Sequence, residues 1–164
     1  MATQPRLVGF RGALFPAESG GDRILTSRGG NVAYVADSRW IAPAAQLFNT
    51  TLRREFARSL PGVRLVGPGE GLRADFVLSV DVRRFEAVYD SGEAPVITVE
   101  ANVKLIRWTD QANVGGWTFT SRRPASENRV ASIVSAYDGA TIETIDQIRR
   151  AIGRVANDEP NPVR

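Results

Sequence analysis

The side chains that most often carry out covalent chemistry in proteins are missing from this sequence, which contains no histidine and no cysteine. A Ser–His–Asp triad, a thiolate nucleophile and a zinc site with His or Cys ligands are therefore excluded. Catalysis by carboxylates alone, and magnesium or calcium sites made of oxygen ligands, remain open. The composition thus narrows any enzymatic hypothesis to the acidic residues.

Three carboxylates lie along one predicted strand and are the first candidates for such a site: Asp75, Asp81 and Glu86. Asp81 and Glu86 lie on either side of a predicted irregularity in that strand, so they could share a site. A strand face exposed to water explains the same residues without any chemistry, and we favour that interpretation. We therefore predict no catalytic residue, no metal site and no cofactor.

The basic residues are the second group that could indicate a function. Lysine and arginine number 21 against 18 acidic residues, and Lys104 is the only lysine. The arginines are dispersed in short pairs rather than gathered in a stripe, which argues against nucleic-acid binding. Gly29-Gly30 lacks the Gly-Lys-Ser/Thr ending of a phosphate-binding loop. A small carboxylate-dependent hydrolase and an arginine-rich nucleic-acid-binding module are kept as alternative functions.

Two helices must help to position these residues. Apolar residues at spacings of three and four predict a first helix over residues 42–60, with Pro43 in its first turn. A second helical region follows a predicted N-cap at Ser126, and Asp138-Gly139 is expected to kink or split it. Residues 1–157 are predicted to form a single domain, and residues 158–164 a flexible tail.

The strands follow from a period of two. Two β-rich runs around Gly29-Gly30 predict a hairpin, and three later runs predict an antiparallel meander. The apolar period changes after Arg83-Arg84, which predicts a β-bulge there. The next strand, residues 95–108, has one apolar face and one polar face that carries Thr98, Glu100, Asn102 and Lys104. We therefore predict an α+β two-layer sandwich, an antiparallel sheet with two main helices packed on one face.

Two regions are candidates for binding a partner protein. One is the polar face just described, whose mixed groups could pair across an interface. The other is the segment from Tyr34 to Arg39, because Tyr and Arg contribute large contact areas at interfaces. Trp40 is predicted to be largely buried where the first helix begins, while Tyr34 and Arg39 point outward.

The order of these segments resembles the ABC-type transport auxiliary lipoprotein family. The family has a Tyr-rich strand, an "rWa-pp" segment and an amphipathic helix, which match Tyr34, the run from Arg39 to Pro43, and the helix after it. Its next strand matches Ala74 to Leu78 together with Phe85-Glu86, and the resemblance covers roughly residues 32–155. Trp40, Pro43 and Phe85 are structural positions of this motif. The family's lipidated cysteine has no counterpart in this sequence.

The resemblance implies a non-enzymatic accessory component of a bacterial envelope lipid transporter. The partners would be a mammalian-cell-entry (MCE) domain protein and an ABC permease and ATPase, with no nucleic acid involved. The protein would be a periplasmic docking or conduit-shaping module. A lipid anchor upstream of Gln4 would hold it on a membrane, expected to be the inner leaflet of the outer membrane. The resemblance also allows a homo-oligomer.

Overall fold

A computed structural model describes residues 4–90 and 92–160, which form seven strands, two α-helices and a short 3₁₀ helix at Pro68–Glu70. The helices are α1 (Ala44–Ser59) and α2 (Val130–Asp158). The strands are β1 (Arg6–Gly9), β2 (Arg23–Arg28), β3 (Asn31–Arg39), β4 (Val63–Val66), β5 (Phe76–Val88), β6 (Val96–Arg107) and β7 (Asn113–Pro124). The chain is therefore an α+β protein, as predicted.

All seven strands belong to one sheet organised around β5. On one side, β6 pairs antiparallel with β5 and β7 pairs antiparallel with β6, which confirms the meander. On the other side, β1 pairs in parallel with the start of β5 and β2 pairs in parallel with its end. β4 flanks β1 and β3 flanks β2. The sheet is mixed rather than wholly antiparallel, because β1 and β2 reach β5 through long connections and not through hairpins.

Two local features of the sheet agree with the sequence pattern. The pairing of β5 with β6 slips by one residue between Val82 and Arg84, which confirms the predicted bulge. In the hairpin of β2 and β3, Gly29 and Gly30 have positive φ angles of 56° and 83°. Two consecutive positive φ angles are what a two-residue type I′ hairpin requires, and glycine adopts them without steric cost.

The helices differ from the prediction at their ends. Pro43 is the N-cap of α1 rather than a residue of its first turn, and Arg129, not Ser126, is the N-cap of α2. The predicted split at Asp138-Gly139 is wrong, since α2 runs unbroken over 29 residues. A Cβ on Gly139 would lie 3.0 Å from the Arg123 guanidinium. Packing against the sheet therefore outweighs the low helix propensity of this glycine.

The hydrophobic core lies between the sheet and the two helices. A cluster of aromatic rings joins the layers: Phe85 of β5 lies 4.9 Å from Tyr137 of α2 and 5.4 Å from Phe15. The Trp40 ring lies 5.1 Å from that of Tyr137. Trp40 is partly buried and packs against the core, so the expectation of a largely buried side chain is met in part.

The end of α2 is fastened to the sheet. Glu159 accepts hydrogen bonds from Arg107 of β6, and Arg6 of β1 donates to the Glu159 carbonyl at 2.8 Å. Residues 161–164 of the predicted tail lie outside the described residues, so for them the tail stays a prediction. In the described part of the chain, no helix has the length and apolar character needed to cross a membrane.

Candidate functional site

The polar face of the meander is built by cross-strand pairing. Pairing places Asn102 of β6 between Asp81 and Thr118, and the next row places Glu100 between Arg84 and Thr120. The residues between them on β6, such as Ala101 and Val103, are buried under the helices. Since neighbouring side chains of a strand point to opposite faces, the rows lie on the side away from α1 and α2.

Side-chain hydrogen bonds fix most of these groups. The Thr118 hydroxyl donates to Asn102 Oδ1 at 2.9 Å, and the Thr120 hydroxyl donates to Glu100 Oε1 at 3.3 Å. Lys104 is exposed and pairs with two small residues, Ser79 and Gly116. Its ammonium group therefore stands above its neighbours. The face offers preorganised polar groups and, at Lys104, an accessible cation.

Thr98 does not belong to this accessible set. Its exposed fraction is 2%, so the prediction that it contacts a partner is wrong. It lies between Glu86 on β5 and Arg122 on β7 in the same row. The side chains of both neighbours are longer and rise above a threonine. The alternation of side chains along a strand predicts the face on which Thr98 lies, but it does not predict whether longer side chains on the neighbouring strands cover it.

Tyr34 and Arg39 lie on β3, at the edge of the sheet. The Tyr34 ring is partly buried, with the Arg23 guanidinium 4.4 Å from its centre, and its hydroxyl donates to the Glu18 carbonyl at 3.1 Å. Arg39 is exposed and forms an ion pair with Asp22 at 3.1 Å. Both side chains thus reach the surface, each with an existing partner.

The structure does not bring the two candidate regions into one site. β3 pairs with β2, and β2 pairs with β5 at Thr26–Ala87 and Ser27–Val88. Two strands therefore separate Tyr34 and Arg39 from β6. We call the first region the hairpin patch (Tyr34 and Arg39) and the second the polar face (Glu100, Asn102 and Lys104).

The motif residues Trp40, Pro43 and Phe85 connect the hairpin patch to the core. The Trp40 amide donates to the Asp22 carbonyl at 2.6 Å, and the Ala44 amide at the start of α1 donates to the Gly21 carbonyl at 2.8 Å. The Trp40 ring then packs 6.3 Å from that of Phe85. This motif therefore positions the end of β3 and the beginning of α1 against the same loop.

The three candidate carboxylates, Asp75 just before β5 and Asp81 and Glu86 within it, have separate partners. Asp75 accepts a hydrogen bond from the Leu7 amide at 2.9 Å. Asp81 pairs with Arg83 at 3.0 Å, and Glu86 pairs with Arg84 at 2.6 Å. Asp81 and Glu86 therefore face different arginines across the bulge instead of sharing a site. Among residues 4–90 and 92–160, no group of acidic side chains is arranged to hold a metal ion.

Tyr137 is the polar group that sequence reasoning missed. Burial raises the pKa of the Tyr137 hydroxyl far above its usual range, and the nearby Glu86 carboxylate acts in the same direction. The hydroxyl donates to the Leu25 carbonyl at 3.0 Å, which joins α2 to β2. The sequence signal for this buried hydroxyl was the position of Tyr137 within the apolar stripe of the second predicted helix. Its role is structural, because a hydroxyl that stays protonated and bonded cannot act as a base.

Comparison with known proteins identifies relatives of this fold. Protein XCC0632 from Xanthomonas campestris is 24% identical, with a TM-score of 0.82, over 94% of this chain and 86% of that chain. The hypothetical protein CT253 from Chlamydia trachomatis is 9% identical, with a TM-score of 0.61, over 90% of this chain and 98% of that chain. At these identities the likeness concerns the fold alone. None of the curated proteins matches the sequence.

A family model gives the assignment. The model described as the ABC-type transport auxiliary lipoprotein component matches residues 20–149, most of the chain. The matched part begins just before β2 and continues into α2, so it includes the hairpin patch, the polar face and the motif residues. The chain therefore belongs to the ABC-type transport auxiliary lipoprotein family.

Proposed function

We propose that this protein is a non-enzymatic accessory component of a bacterial envelope lipid transporter. It would dock an MCE-domain protein, which works with an ABC permease and ATPase to move lipid between membranes. The observation that carries the proposal is the family match over residues 20–149. The transport energy would come from the partner ATPase.

The arrangement of polar groups supports a non-catalytic role. The chain has no histidine or cysteine, and the three candidate carboxylates, Asp75, Asp81 and Glu86, are bonded to different partners. General acid–base catalysis needs a titratable group placed beside a reacting atom, often with a perturbed pKa. The two groups with raised tyrosine pKa values, Tyr89 and Tyr137, owe the shift chiefly to burial. Each hydroxyl is bonded within the fold, Tyr89 to Asn128 and Tyr137 to Leu25.

The hairpin patch and the polar face are the proposed docking surfaces. Arg39 and Lys104 supply accessible cations, and Tyr34 supplies an aromatic ring that is already held in place by Arg23. A ring that is fixed before binding loses little conformational entropy on binding. An MCE-domain partner that carries acidic and aromatic groups would complement these surfaces.

We propose a periplasmic location, with a lipid anchor in the inner leaflet of the outer membrane. The support is the description of the family as lipoproteins. Metabolic labelling of the native gene product with a fatty acid, followed by membrane fractionation, tests this. Label in the outer-membrane fraction is the expected result, and an unlabelled protein in the cytosol would refute the location.

A binding titration against the MCE-domain proteins of the same genome tests the docking role. The lipidated full-length protein should bind at least one of them. Tyr34→Ala and Arg39→Ala should weaken binding about tenfold, as expected for interface Tyr and Arg residues. Arg154→Ala on the exposed side of α2 is the matched control and should bind like the wild type. Light scattering on the same samples reports self-association.

The outcomes of this titration separate two questions. Binding to none of the MCE-domain proteins would overturn the proposed function. Unchanged affinity in both hairpin-patch variants would leave the docking role standing but reject the hairpin patch. Tyr34→Phe distinguishes the ring from its hydroxyl, which donates to the Glu18 carbonyl.

A further inference from the structure

A groove of about 620 Å³ runs between the second half of α1 and the edge of the sheet at β4. Every residue of β4 lines it, as do Ala57 of α1 and Leu60, the residue that follows α1. A groove that contacts all successive residues of a strand, and not alternate ones, follows the strand's edge. Its floor is apolar and is formed by Phe10, Ala57, Leu60, Val63, Leu65 and Val66. We call it the β4 groove.

The edge of β4 presents backbone groups to this groove. In the described sheet β4 pairs only with β1. The Arg6 amide donates to the Gly62 carbonyl and the Phe10 amide donates to the Val66 carbonyl, so the even-numbered residues face β1. In a strand the backbone groups of successive residues point to opposite sides, so those of Val63 and Leu65 point away from β1.

The outward groups are only partly used. The Val63 amide donates to the Leu60 carbonyl at 3.1 Å, and the Gly67 amide donates to Glu70 Oε2 at 2.6 Å. Within residues 4–90 and 92–160, the outward amide and carbonyl of Leu65 have no protein partner. A donor and an acceptor therefore stand side by side at the middle of the open edge.

Two arginines give the groove its charge. Arg64 pairs with Glu70 at 2.9 Å, so those two charges compensate each other. Arg53 has its guanidinium 5.2 Å from the centre of the Phe10 ring and makes no ion pair with any described residue. The Arg53 guanidinium is therefore a cation without an ionic partner among the described residues, next to an apolar floor. An acidic group in the groove would meet it.

We propose that the β4 groove binds an extended acidic peptide segment of a partner protein, which adds as a strand to the free edge of β4. The peptide backbone pairs with the amide and carbonyl of Leu65. Alternate apolar side chains fill the floor and an acidic side chain reaches Arg53. Main-chain bonds supply affinity and side-chain pockets supply specificity in this mode of recognition.

The backbone groups decide between a peptide and a hydrocarbon chain. An acyl chain in the groove would cover the amide and carbonyl of Leu65 without offering either a partner. A buried polar group without a partner is costly, whereas an added strand pairs both groups. The site lies on β4, away from the hairpin patch and the polar face, and the inference holds whether or not the partner is an MCE-domain protein.

Short peptides are the probes for this proposal. The acidic peptide is acetyl-Thr-Val-Glu-Val-Thr-Val-amide; one matched peptide carries Lys in place of Glu, and another carries N-methyl groups that remove its backbone donors. Amide shifts in NMR titrations of the folded domain report binding. The acidic peptide should shift the Leu65 amide and bind about tenfold more tightly than either matched peptide, the scale expected when a charge pair or a backbone pairing is lost.

Variants of the protein test the same contacts from the other side. Leu65→Pro removes the outward amide but none of the bonds to β1, and it should abolish binding. Leu65→Ala keeps that amide and shortens one apolar side chain of the floor, so it should weaken binding much less than Leu65→Pro. Arg53→Glu should reverse the preference to the Lys peptide, with Arg154→Glu as the unaffected charge control. If Leu65→Pro fails to fold, the N-methylated peptide still decides the backbone question.

Three results would overturn the proposal. One is equal binding of the acidic and N-methylated peptides. Another is the absence of binding by all three peptides. The third is tight binding of laurate in the groove that excludes the acidic peptide and is unchanged in Leu65→Pro, which would make it a lipid site. The peptide titrations do not involve an MCE-domain protein, so a failure of the proposed MCE-domain docking would not change their interpretation.

Discussion

The two faces of the meander β5–β6–β7 share the same strands but are built differently. On the helix face, Phe85 packs against the rings of Trp40 and Tyr137, and Val99 is fully buried. On the polar face, Asn102 and Glu100 are linked to threonines of β7 by single hydrogen bonds. Burial of apolar area dominates folding free energy, while exposed polar pairs contribute little. The helix face therefore stabilises the fold, and the polar face is free to be used for contact.

The largest expected effect is on the helix face. Phe85→Ala removes a ring that packs on three other rings, and should lower the free energy of unfolding by about 3–5 kcal/mol. Urea denaturation followed by circular dichroism measures this. Lys104→Ala on the polar face is the matched control and should change stability by less than about 0.5 kcal/mol. Similar losses of unfolding free energy in the two variants would contradict the difference between the helix face and the polar face.

A buried polar contact between α2 and β7 should give the next effect. The Thr144 hydroxyl is fully buried and lies 2.9 Å from both the Ser121 hydroxyl and the Ala140 carbonyl. Thr144→Val leaves the Ser121 hydroxyl without its partner and should cost about 1–3 kcal/mol. Adding Ser121→Ala should recover part of that loss. If the double variant is as unstable as the sum of the single ones, the two hydroxyls are not coupled.

Two glycines of α2 should respond in opposite ways to alanine. The Cβ of Gly139→Ala would meet Arg123, a half-exposed side chain that can move away, so helix propensity should raise stability by about 0.5–1 kcal/mol. Gly153 is buried, and its Cβ would lie 2.9 Å from Leu60 Cδ1. Gly153→Ala should therefore lower stability by about 1 kcal/mol through overpacking. Thermal unfolding of both variants gives the sign, and a gain at Gly153 would show that the α1–α2 contact is loose.

The smallest effect concerns pH. A hydrogen bond from Arg149 lowers the pKa of the Asp146 carboxyl below its ordinary value of 3.8. A depressed folded-state pKa adds stability above the unfolded-state pKa, and this is lost as the pH falls through the folded-state pKa. Asp146→Asn should thus cost about 0.5 kcal/mol at pH 7, since the pair is partly exposed, and nothing at low pH. Arg149→Gln should reduce this pH dependence and leave the part that is due to Arg150, which also pairs with Asp146 at 2.9 Å; a difference that persists in acid would point to packing instead.

The sequence predicted the local features of the sheet well and the long-range ones poorly. The bulge at Arg83-Arg84 and the turn at Gly29-Gly30 were predictable from local sequence. A change in the apolar period of a strand indicates a bulge, and a glycine pair between two strands indicates a tight hairpin turn. The parallel pairing of β1 and β2 with β5 has no such local signal, because the alternation of apolar and polar residues shows which face of a strand is buried and not which strand lies beside it. The unbroken α2 at Gly139 was likewise not predicted, because packing of the helix against the sheet outweighs the low helix propensity of one glycine.

The candidate surfaces were predicted only in part for a similar reason. Glu100, Asn102 and Lys104 lie on the polar face as expected, but Thr98 is hidden by its row neighbours Glu86 and Arg122. The β4 groove was not foreseen, because its lining combines α1 and β4 with Pro5 and Phe10, which come from a much earlier part of the chain.

Site-specific photo-crosslinking tests the central claim most directly. A photoreactive amino acid is placed at position 104 or 118 on the polar face, or at position 142 or 154 on the outer side of α2, and the domain is irradiated with the proposed MCE-domain partner. The account predicts crosslinks from the polar-face positions and none from α2. Crosslinks from α2 alone would contradict the division between a face that holds the fold together and a face that docks.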